Sequence, residues 1–233
     1  MNLWTKKFTE RDPSIFAREL VSTVLLSINS AKTGIKGAPI IVGISVPEFL
    51  SERYMVTDYA FETTLEDFPF EHHWKTVVQY ALSIAKSLRA IHDVGLAHLS
   101  LRPANILLHE GEAHIINLSH HALDDSNLGS IKYFWPECYK QRDYPRENTQ
   151  AADIFALGWV LWQLTTRVEP RILQSADEPW LGDELSPETP KEYADVIHDC
   201  WKEEPRNRPN IFKVLHRLNQ IDQSKLSSIL DCR

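Results

Sequence analysis

A helical stretch that is apolar on almost every side is the feature that most limits how this chain can fold. Residues 153–166 place large apolar side chains at positions all around a helical turn. A helix without a polar face has to be surrounded by other elements, so it must lie in the centre of a shared core. The chain has 233 residues, enough to build such a core in one large domain or two small lobes. The apolar residues of this stretch are Ile154, Phe155, Leu157, Val160, Leu161, Trp162 and Leu164.

Helical patterns dominate the second half of the chain. Between Trp74 and Ile91, apolar residues recur at spacings of three and four over about five turns, which predicts an amphipathic helix. Residues 191–201 and 210–218 show helical spacing as well. Together with the apolar stretch described above, these segments predict a largely helical lobe.

Short apolar runs predict strands in two places. Near the N-terminus, residues 3–8, 40–45 and 54–59 have the length and composition of strands. Later, residues 105–108 and 114–116 flank a short turn that contains glycine, which predicts a β-hairpin.

A helix is also predicted near the N-terminus, where Ser14 can cap the first free backbone amides. Residues 32–37, which follow this helix, are loop-like. The pattern changes near residues 58–62, which predicts a hinge between a small mixed lobe and a larger helical lobe. The buried face of the N-terminal helix is predicted to consist of Phe16, Leu20, Val24 and Leu25.

Composition argues against several classes of protein. Lys and Arg number 25 against 32 Asp and Glu, and this net charge of −7 argues against a nucleic-acid binder, which needs basic surface. The three cysteines, Cys138, Cys200 and Cys232, form neither a disulfide framework nor a metal-binding spacing. No apolar run approaches the ~20 residues of a membrane span. We therefore expect a cytoplasmic protein without a membrane span, and leave nuclear access open.

The most informative segment is residues 98–108. His98 is followed by Pro103 and Asn105, and Arg102 directly precedes the proline. This spacing resembles the catalytic loop of protein kinases, H-R-D-x-K-P-x-N, with Arg102 in the place of the lysine.

Further segments match kinase motifs in the same chain order. Residues 135–137 resemble the A-P-E motif, and residues 152–158 resemble the beginning of the central helix of the large lobe. Cys200-Trp201 and Arg208-Pro209 resemble the end of tyrosine-kinase-like domains. Each match is weak by itself, but their order makes the chain similar to the protein kinase superfamily over most of its length.

The resemblance implies an α+β, protein-kinase-like fold with two lobes. Residues 1–59 would form a reduced β-rich N-lobe, residues 60–221 a helical C-lobe, and residues 222–233 a C-terminal tail. If residues 3–6 match the kinase V-A-I-K strand, the first two strands and the glycine-rich loop are missing. The sequence leaves open whether this is a truncated domain or a fragment of a longer product.

Two departures from the kinase pattern bear directly on catalysis. Kinases use one Asp to accept or orient the substrate hydroxyl and a second Asp to hold magnesium. The corresponding positions are Ser100 and Asn117. A serine hydroxyl carries no negative charge, and an asparagine oxygen is a neutral ligand for a cation that prefers charged oxygen. Because the loss of one such group commonly costs about 100- to 1000-fold in rate, we expect a degenerate catalytic site.

Several residues resemble remnants of a nucleotide site. Lys6 would match the phosphate-contacting lysine, with Lys7 as an adjacent alternative, and Glu19 would match the helix glutamate that pairs with it. The equal alternative is that these three residues are solvated charges on a strand and a helix, and the pair could also brace the helix against the sheet. Asn105 would match the second metal-binding residue, or it holds the loop by hydrogen bonds. Arg102 would bind an anion or cap nearby carbonyls.

Other residues resemble the structural framework of the kinase large lobe. His98 is expected to pack and hydrogen-bond under the loop, and Asp153 to accept backbone amides of that loop from the central helix. Glu137 and Arg208 resemble the ion pair that ties the activation segment to the last helices.

Three functions compete at this point. The leading hypothesis is a pseudokinase that binds another protein, either an active kinase or a signalling target. The alternative is a weak or atypical ATP-binding kinase, with Asp124 or Asp125 as a displaced metal ligand. The third is a remnant that needs strands from elsewhere to fold. No cofactor is expected, residual ATP binding is left open, and neither magnesium nor another metal is expected.

Overall fold

The protein combines helices with two small antiparallel sheets, as the resemblance implies. The computed structural model describes residues 4–9, 13–34, 41–45, 52–57, 63–68, 73–109, 111–118, 149–166 and 185–221. The helices are α1 (Pro13–Thr33), α2 (Trp74–Asp93), α3 (Thr149–Thr166), α4 (Lys191–Cys200) and α5 (Ile211–Asn219). The strands are β1 (Trp4–Thr9), β2 (Ile41–Ser45), β3 (Glu52–Thr57), β4 (Thr63–Thr64), β5 (Ile106–His109) and β6 (Glu112–Ile115).

The first sheet has the strand order β1-β3-β2, and both of its pairs are antiparallel. Met55 of the central strand packs against Phe16 of α1. Lys6 of β1 is paired directly with Met55, and directly paired residues project from the same face of an antiparallel sheet. The register therefore directs Lys6 toward α1. The three strands predicted here are confirmed, with their starts shifted by one or two residues.

The ends of α1 differ from the prediction. The helix begins at Pro13, a residue suited to the first helical position because it has no amide hydrogen to leave unpaired. Ser14 therefore lies inside the first turn, and its predicted capping position is wrong. The helix also includes Lys32 and Thr33, which were predicted to lie in a loop. It stops at Gly34, whose φ of 73° is the left-handed conformation that often ends helices.

The predicted inner face of α1 is wrong in its second half. Val24 and Leu25 are exposed, at 39% and 40%. The physical reason is Glu19, whose carboxylate turns inward to meet Lys6. The apolar periodicity from which the face was predicted contains no information about that charge. The buried side chains of α1 are Phe16, Glu19, Thr23 and Leu26.

The larger part of the protein is built around α2 and α3, and both predicted helices are confirmed. The predicted hairpin is formed by β5 and β6, and β6 lies against α2. Two buried serines of α2 hold β6 in place: Ser83 Oγ accepts from the amide of Ala113 at 2.7 Å, and Ser87 Oγ accepts from the amide of Ile115 at 3.0 Å. These bonds fix the strand that leads directly into the candidate site.

The β-rich part with α1 and the larger helical part correspond to the predicted α+β fold with two lobes. The predicted hinge at residues 58–62 and the tail at residues 222–233 lie outside the described residues. Among the helices described above, none is long and apolar enough to cross a membrane.

Gly158 is a point of close approach between α3 and the end of α4. A Cβ atom at this position would lie 2.7 Å from the Trp201 ring and 2.9 Å from Cys200 Cβ. Since both neighbours are buried, they have little room to move. We expect Gly158→Ala to lower the free energy of unfolding by about 1–3 kcal/mol, although alanine is the better helix former. Chemical denaturation measures the change.

Gly43 provides the matched control. A Cβ atom there would have no heavy atom within 4 Å, so Gly43→Ala should change the free energy of unfolding by less than about 0.5 kcal/mol. Equal stabilities of the two variants would contradict the close contact at Gly158.

Candidate functional site

A buried ion pair joins β1 to α1. Lys6 Nζ lies 3.1 Å from Glu19 Oε1, and both side chains are largely withdrawn from solvent. Burial lowers the pKa of Lys6 below its ordinary value of 10.5, while the Glu19 carboxylate acts in the opposite direction and favours the charged form. Lys7, the alternative considered for this role, is exposed and follows Lys6 on a strand whose successive residues point to opposite faces.

A chain of hydrogen bonds continues from Lys6 into the larger part of the protein. Lys6 Nζ donates to Asn117 Oδ1 at 2.5 Å, and Asn117 Nδ2 donates to Asn105 Oδ1 at 2.8 Å. Asn105 Nδ2 then donates to the backbone oxygen of Ser100 at 2.8 Å and lies 3.4 Å from its hydroxyl. The structure therefore brings together five residues that the sequence analysis selected: Lys6, Glu19, Ser100, Asn105 and Asn117.

The direction of this chain is set by Lys6. An ammonium group only donates hydrogen bonds, so the oxygen of the Asn117 side chain must face it. The Asn117 nitrogen is then the group left to face Asn105, which turns its own oxygen toward Asn117 and its nitrogen toward Ser100. One charge thus orients two amides in sequence.

These residues do not fit a magnesium ion. Magnesium keeps near-octahedral geometry and is usually bound through one or two carboxylates together with phosphate oxygens and water. The side-chain oxygens of Asn105 and Asn117 are neutral, and each already accepts a hydrogen bond from a neighbouring N–H group. Ser100 contributes a neutral hydroxyl. Within the described ranges, no group of three or more His, Cys, Asp or Glu side chains is placed to hold a metal ion.

The loop that carries Ser100 is held by Asp153 of α3. The Asp153 carboxylate accepts the backbone amides of His98 at 2.8 Å and Leu99 at 2.7 Å. His92 Nε2, at the end of α2, lies 2.9 Å from the same carboxylate. A carboxylate buried in an apolar helix needs such partners to offset its lost hydration.

Two residues of the site have positive φ angles. Leu99 has a φ of 60°, and Asn117 a φ of 67°. Asparagine adopts this left-handed conformation readily, whereas leucine does so at a cost of about 1–2 kcal/mol. The amide of Leu99 is one of the two that Asp153 holds, so this carboxylate helps to stabilise the strained backbone.

His98 connects the loop to the strand that leads to Asn117. Its Nε2 donates to the backbone oxygen of Ile116 at 2.8 Å, and its Nδ1 accepts from the amide of Ser100 at 3.3 Å. One donating and one accepting ring nitrogen define the neutral imidazole. Burial lowers the pKa of His98 below 6.5, although the nearby Asp153 carboxylate acts in the opposite direction.

Arg208 fixes the C-terminal part of the domain through backbone carbonyls. Its guanidinium donates to the oxygens of Ala151, Lys202 and Glu203, and lies 4.8 Å from the ring centre of Phe155. Residue 137, the glutamate predicted to pair with Arg208, lies outside the described residues, and so does the A-P-E-like motif.

Arg102 is half-buried and directly precedes the short helical turn Pro103–Asn105 in the chain. Its backbone oxygen accepts from the amide of Asn105 at 2.9 Å, which closes this turn. The residue therefore lies next to the chain of amides that leads to Lys6.

Sequence reasoning missed two residues that support the loop. His92 contacts Asp153, and Gln150 Nε2 donates to the backbone oxygens of His92 and Leu96 at 3.1 and 3.0 Å. Gln150 therefore satisfies carbonyl groups at the end of α2. The sequence contained one indication of the contact made by His92. It directly follows Ile91, the last apolar residue of the α2 pattern, and a polar residue that is buried there needs a hydrogen-bond partner.

Asp153 offers a direct test of the loop framework. In Asp153→Asn, an NH₂ group would replace one of the oxygens that face backbone or imidazole N–H donors, so buried donors would oppose each other. We expect the free energy of unfolding to fall by about 2–4 kcal/mol, measured by chemical denaturation.

The same substitution at Asp195 is the control. Asp195 forms an exposed ion pair with Lys191 on α4, and such pairs contribute about 0–1 kcal/mol. If Asp153→Asn is no more destabilising than Asp195→Asn, the proposed role of the buried carboxylate is refuted.

Comparison with known proteins identifies the domain. The protein kinase domain family matches residues 32–218, well over half of the chain. The matched range includes Ser100, Asn105, Asn117 and Asp153. It begins after Lys6 and Glu19, so the assignment of these two residues rests on their contacts.

Two individual relatives show how far the similarity extends in identity and in length. A probable LIM domain-containing serine/threonine-protein kinase of Dictyostelium discoideum is 29% identical over 164 residues, which are 64% of this chain and 16% of that protein. A serine/threonine/tyrosine-protein kinase of Arabidopsis thaliana is 24% identical over 192 residues, which are 72% of this chain and 47% of that protein. The chain thus spans less than half the length of these two curated relatives.

Proposed function

The chain belongs to the protein kinase family, and from this premise we propose that it is a catalytically inactive member, a pseudokinase. Its role would be that of a protein-interaction or allosteric signalling scaffold. The observation that carries the proposal is the hydrogen-bonded chain from Lys6 through Asn117 and Asn105 to Ser100. Neutral groups stand at both positions where the resemblance calls for a catalytic or metal-binding carboxylate.

Charge supports this interpretation. Phosphoryl transfer depends on positioning and on electrostatic stabilisation by metal ions, which carboxylates hold. Among the five residues of the site, Glu19 is the one carboxylate, and it is paired with Lys6. Glu19 therefore balances the lysine charge. The positions that correspond to the hydroxyl-orienting and the metal-binding carboxylates are held by Ser100 and Asn117, which are both neutral.

The contacts of Lys6 also support the proposal. A phosphate group that approached Lys6 would have to displace the Asn117 oxygen, which the ammonium contacts in addition to the Glu19 carboxylate. The same two contacts tie β1 to α1 and to the segment after β6. Lys6 would thus act as a structural link between the two parts of the protein.

The framework of the large lobe supports a scaffold role. Asp153 and His98 hold the loop by buried hydrogen bonds, and Arg208 binds three backbone carbonyls. These contacts hold the fold of the large lobe, and they do not require carboxylates at Ser100 or Asn117. The expected partner is a protein, either an active kinase or another signalling protein, in the cytoplasm with nuclear access left open.

The direct test is transfer of radiolabelled phosphate from ATP to a generic protein substrate in the presence of magnesium. We expect no transfer above background, because the loss of even one preorganised electrostatic group lowers rates by about 100- to 1000-fold. An active kinase assayed with the same substrate establishes the sensitivity.

Lys6→Ala, checked for folding by circular dichroism, is the matched variant. Equal background from wild-type protein and Lys6→Ala agrees with the proposal. Magnesium-dependent transfer by the wild type that Lys6→Ala abolishes would show a working kinase, and the proposal would then be wrong.

A weak or atypical ATP-binding kinase is the second candidate, and the Lys6–Glu19 ion pair favours it. This pair has the residue types and the contact that the resemblance implies for a phosphate-binding lysine. The hydrogen bond between Asn117 and Asn105 also supports this candidate, because the resemblance assigns Asn105 to the second metal-binding position. The displaced metal ligands considered for this alternative, Asp124 and Asp125, lie outside the described residues.

Thermal unfolding with ATP, with and without magnesium or manganese, tests this alternative. Nucleotide at ~100 times its dissociation constant would add about 2.7 kcal/mol to the free energy of unfolding. We expect no metal-dependent increase, since the donor set does not fit a divalent cation. A stabilisation that appears when metal is added would favour the second candidate, and a flat response at all ATP concentrations would refute it.

A further inference from the structure

The outer face of α1 is unusually apolar for an exposed helix. Val21 is 58% exposed, Val24 39%, Leu25 40% and Ile28 49%. At about 100° per residue, these four side chains fall within an arc of about 100°. We call them the α1 stripe. A solvent-facing helix surface normally carries polar residues, so a stripe with spacings of three, four and seven residues indicates a surface that another element covers.

The orientation of the stripe is fixed by the opposite side of α1. Glu19 faces inward to Lys6 at 3.1 Å, and Phe16 packs against Met55. Turning the helix to bury the stripe would break this ion pair and expose Phe16. The protein therefore holds the α1 stripe outward by contacts of its own.

The charges around the α1 stripe distinguish between the kinds of molecule that could cover it. Lys32 is exposed one turn after Ile28, on the same side of the helix, and Arg18 is exposed one turn before Val21. Arg18 has an interaction of its own within the chain. The expectation that the covering molecule is negatively charged therefore rests first on Lys32. The one carboxylate of α1 is Glu19, which is buried. The outer face of α1 thus combines an apolar centre with basic ends.

From this pattern we propose that the α1 stripe is a docking surface for an amphipathic helix of a partner protein. The partner helix would present apolar residues at positions i, i+3, i+4 and i+7, with carboxylates beyond both ends of its apolar stripe. Such helix-on-helix recognition uses the spacing that the α1 stripe displays. The inference deepens the proposed protein-binding role and rests on it.

A second copy of this chain fits the stripe less well. Two α1 helices side by side would bring Lys32 near Lys32 or near Arg18, without a carboxylate on either outer face.

An anionic membrane surface is also disfavoured. Membrane-surface helices attract anionic lipid through many basic residues, whereas this chain has a net charge of −7. The outer face of α1 supplies two basic residues, one of which already has a contact within the chain.

The test uses a fluorescently labelled synthetic helix of about 18 residues, long enough to reach from Arg18 to Lys32. It carries Leu at i, i+3, i+4 and i+7 and Glu at both ends, and a second peptide has Lys in place of each Glu. Fluorescence anisotropy should show saturable binding of the Glu peptide, at least about tenfold weaker binding of the Lys peptide, and a smaller difference at high salt.

Variants of the stripe locate the binding. Val21→Glu and Ile28→Glu place a charge in the centre of the contact, and each should weaken binding of the Glu peptide by at least about tenfold. Val42→Glu is the matched control, since Val42 is 48% exposed on β2 and outside the stripe. It should leave the affinity unchanged. Circular dichroism melts establish that all three variants fold.

Several outcomes would overturn the inference. These are no saturable binding of the Glu peptide, equal affinity for both peptides, or equal weakening by Val42→Glu. Sedimentation with phosphatidylserine vesicles or self-association in analytical ultracentrifugation, if abolished by Val21→Glu, would assign the stripe to a membrane or to a second copy. Peptide binding and phosphate transfer are independent readouts, so failure of the docking surface is distinguishable from failure of the pseudokinase proposal.

Discussion

The ammonium group of Lys6, a residue of β1, contacts two other segments of the chain, and the geometry of the site depends on it. It pairs with Glu19 of α1, donates to Asn117 after β6, and belongs to the small sheet through β1. A buried cation needs a nearby carboxylate, so the ion pair sets the rotation of α1. The same rotation that brings Glu19 inward turns the α1 stripe outward. One buried charge therefore connects the interior of the cleft with a candidate docking surface.

The cleft and the framework around it obey different physical requirements. The framework needs a buried carboxylate at Asp153 to hold the amides of His98 and Leu99, and it needs Arg208 to bind carbonyl groups. The cleft, as a catalytic site, would need carboxylates that stay available to a cation. Neutral residues in the cleft relieve the repulsion and desolvation that unpaired carboxylates would cause there. A framework kept around a neutral site is what the proposed scaffold role requires.

The sequence predicted those features that depend on long periodic patterns or on residues at fixed offsets. The helices α2 and α3 and the hairpin β5–β6 follow directly from apolar spacing. The rotation of α1 could not be predicted in this way, because its apolar residues lie on both sides and the choice is made by Glu19. The contact of His92 with Asp153 depends on the packing of α2 against α3, which no local pattern records. Local apolar periodicity was thus sufficient to predict the helices and strands. Their orientation depends on buried polar groups, which the periodicity does not record.

Anomalous diffraction from crystals soaked with manganese and a non-hydrolysable ATP analogue tests the central claim most directly. The account predicts that no manganese peak appears beside Asn117 and Asn105, and that the bond from Lys6 to Asn117 is retained. Ordered manganese peaks that bridge a bound triphosphate, with an acidic side chain from elsewhere in the chain as ligand, would contradict it.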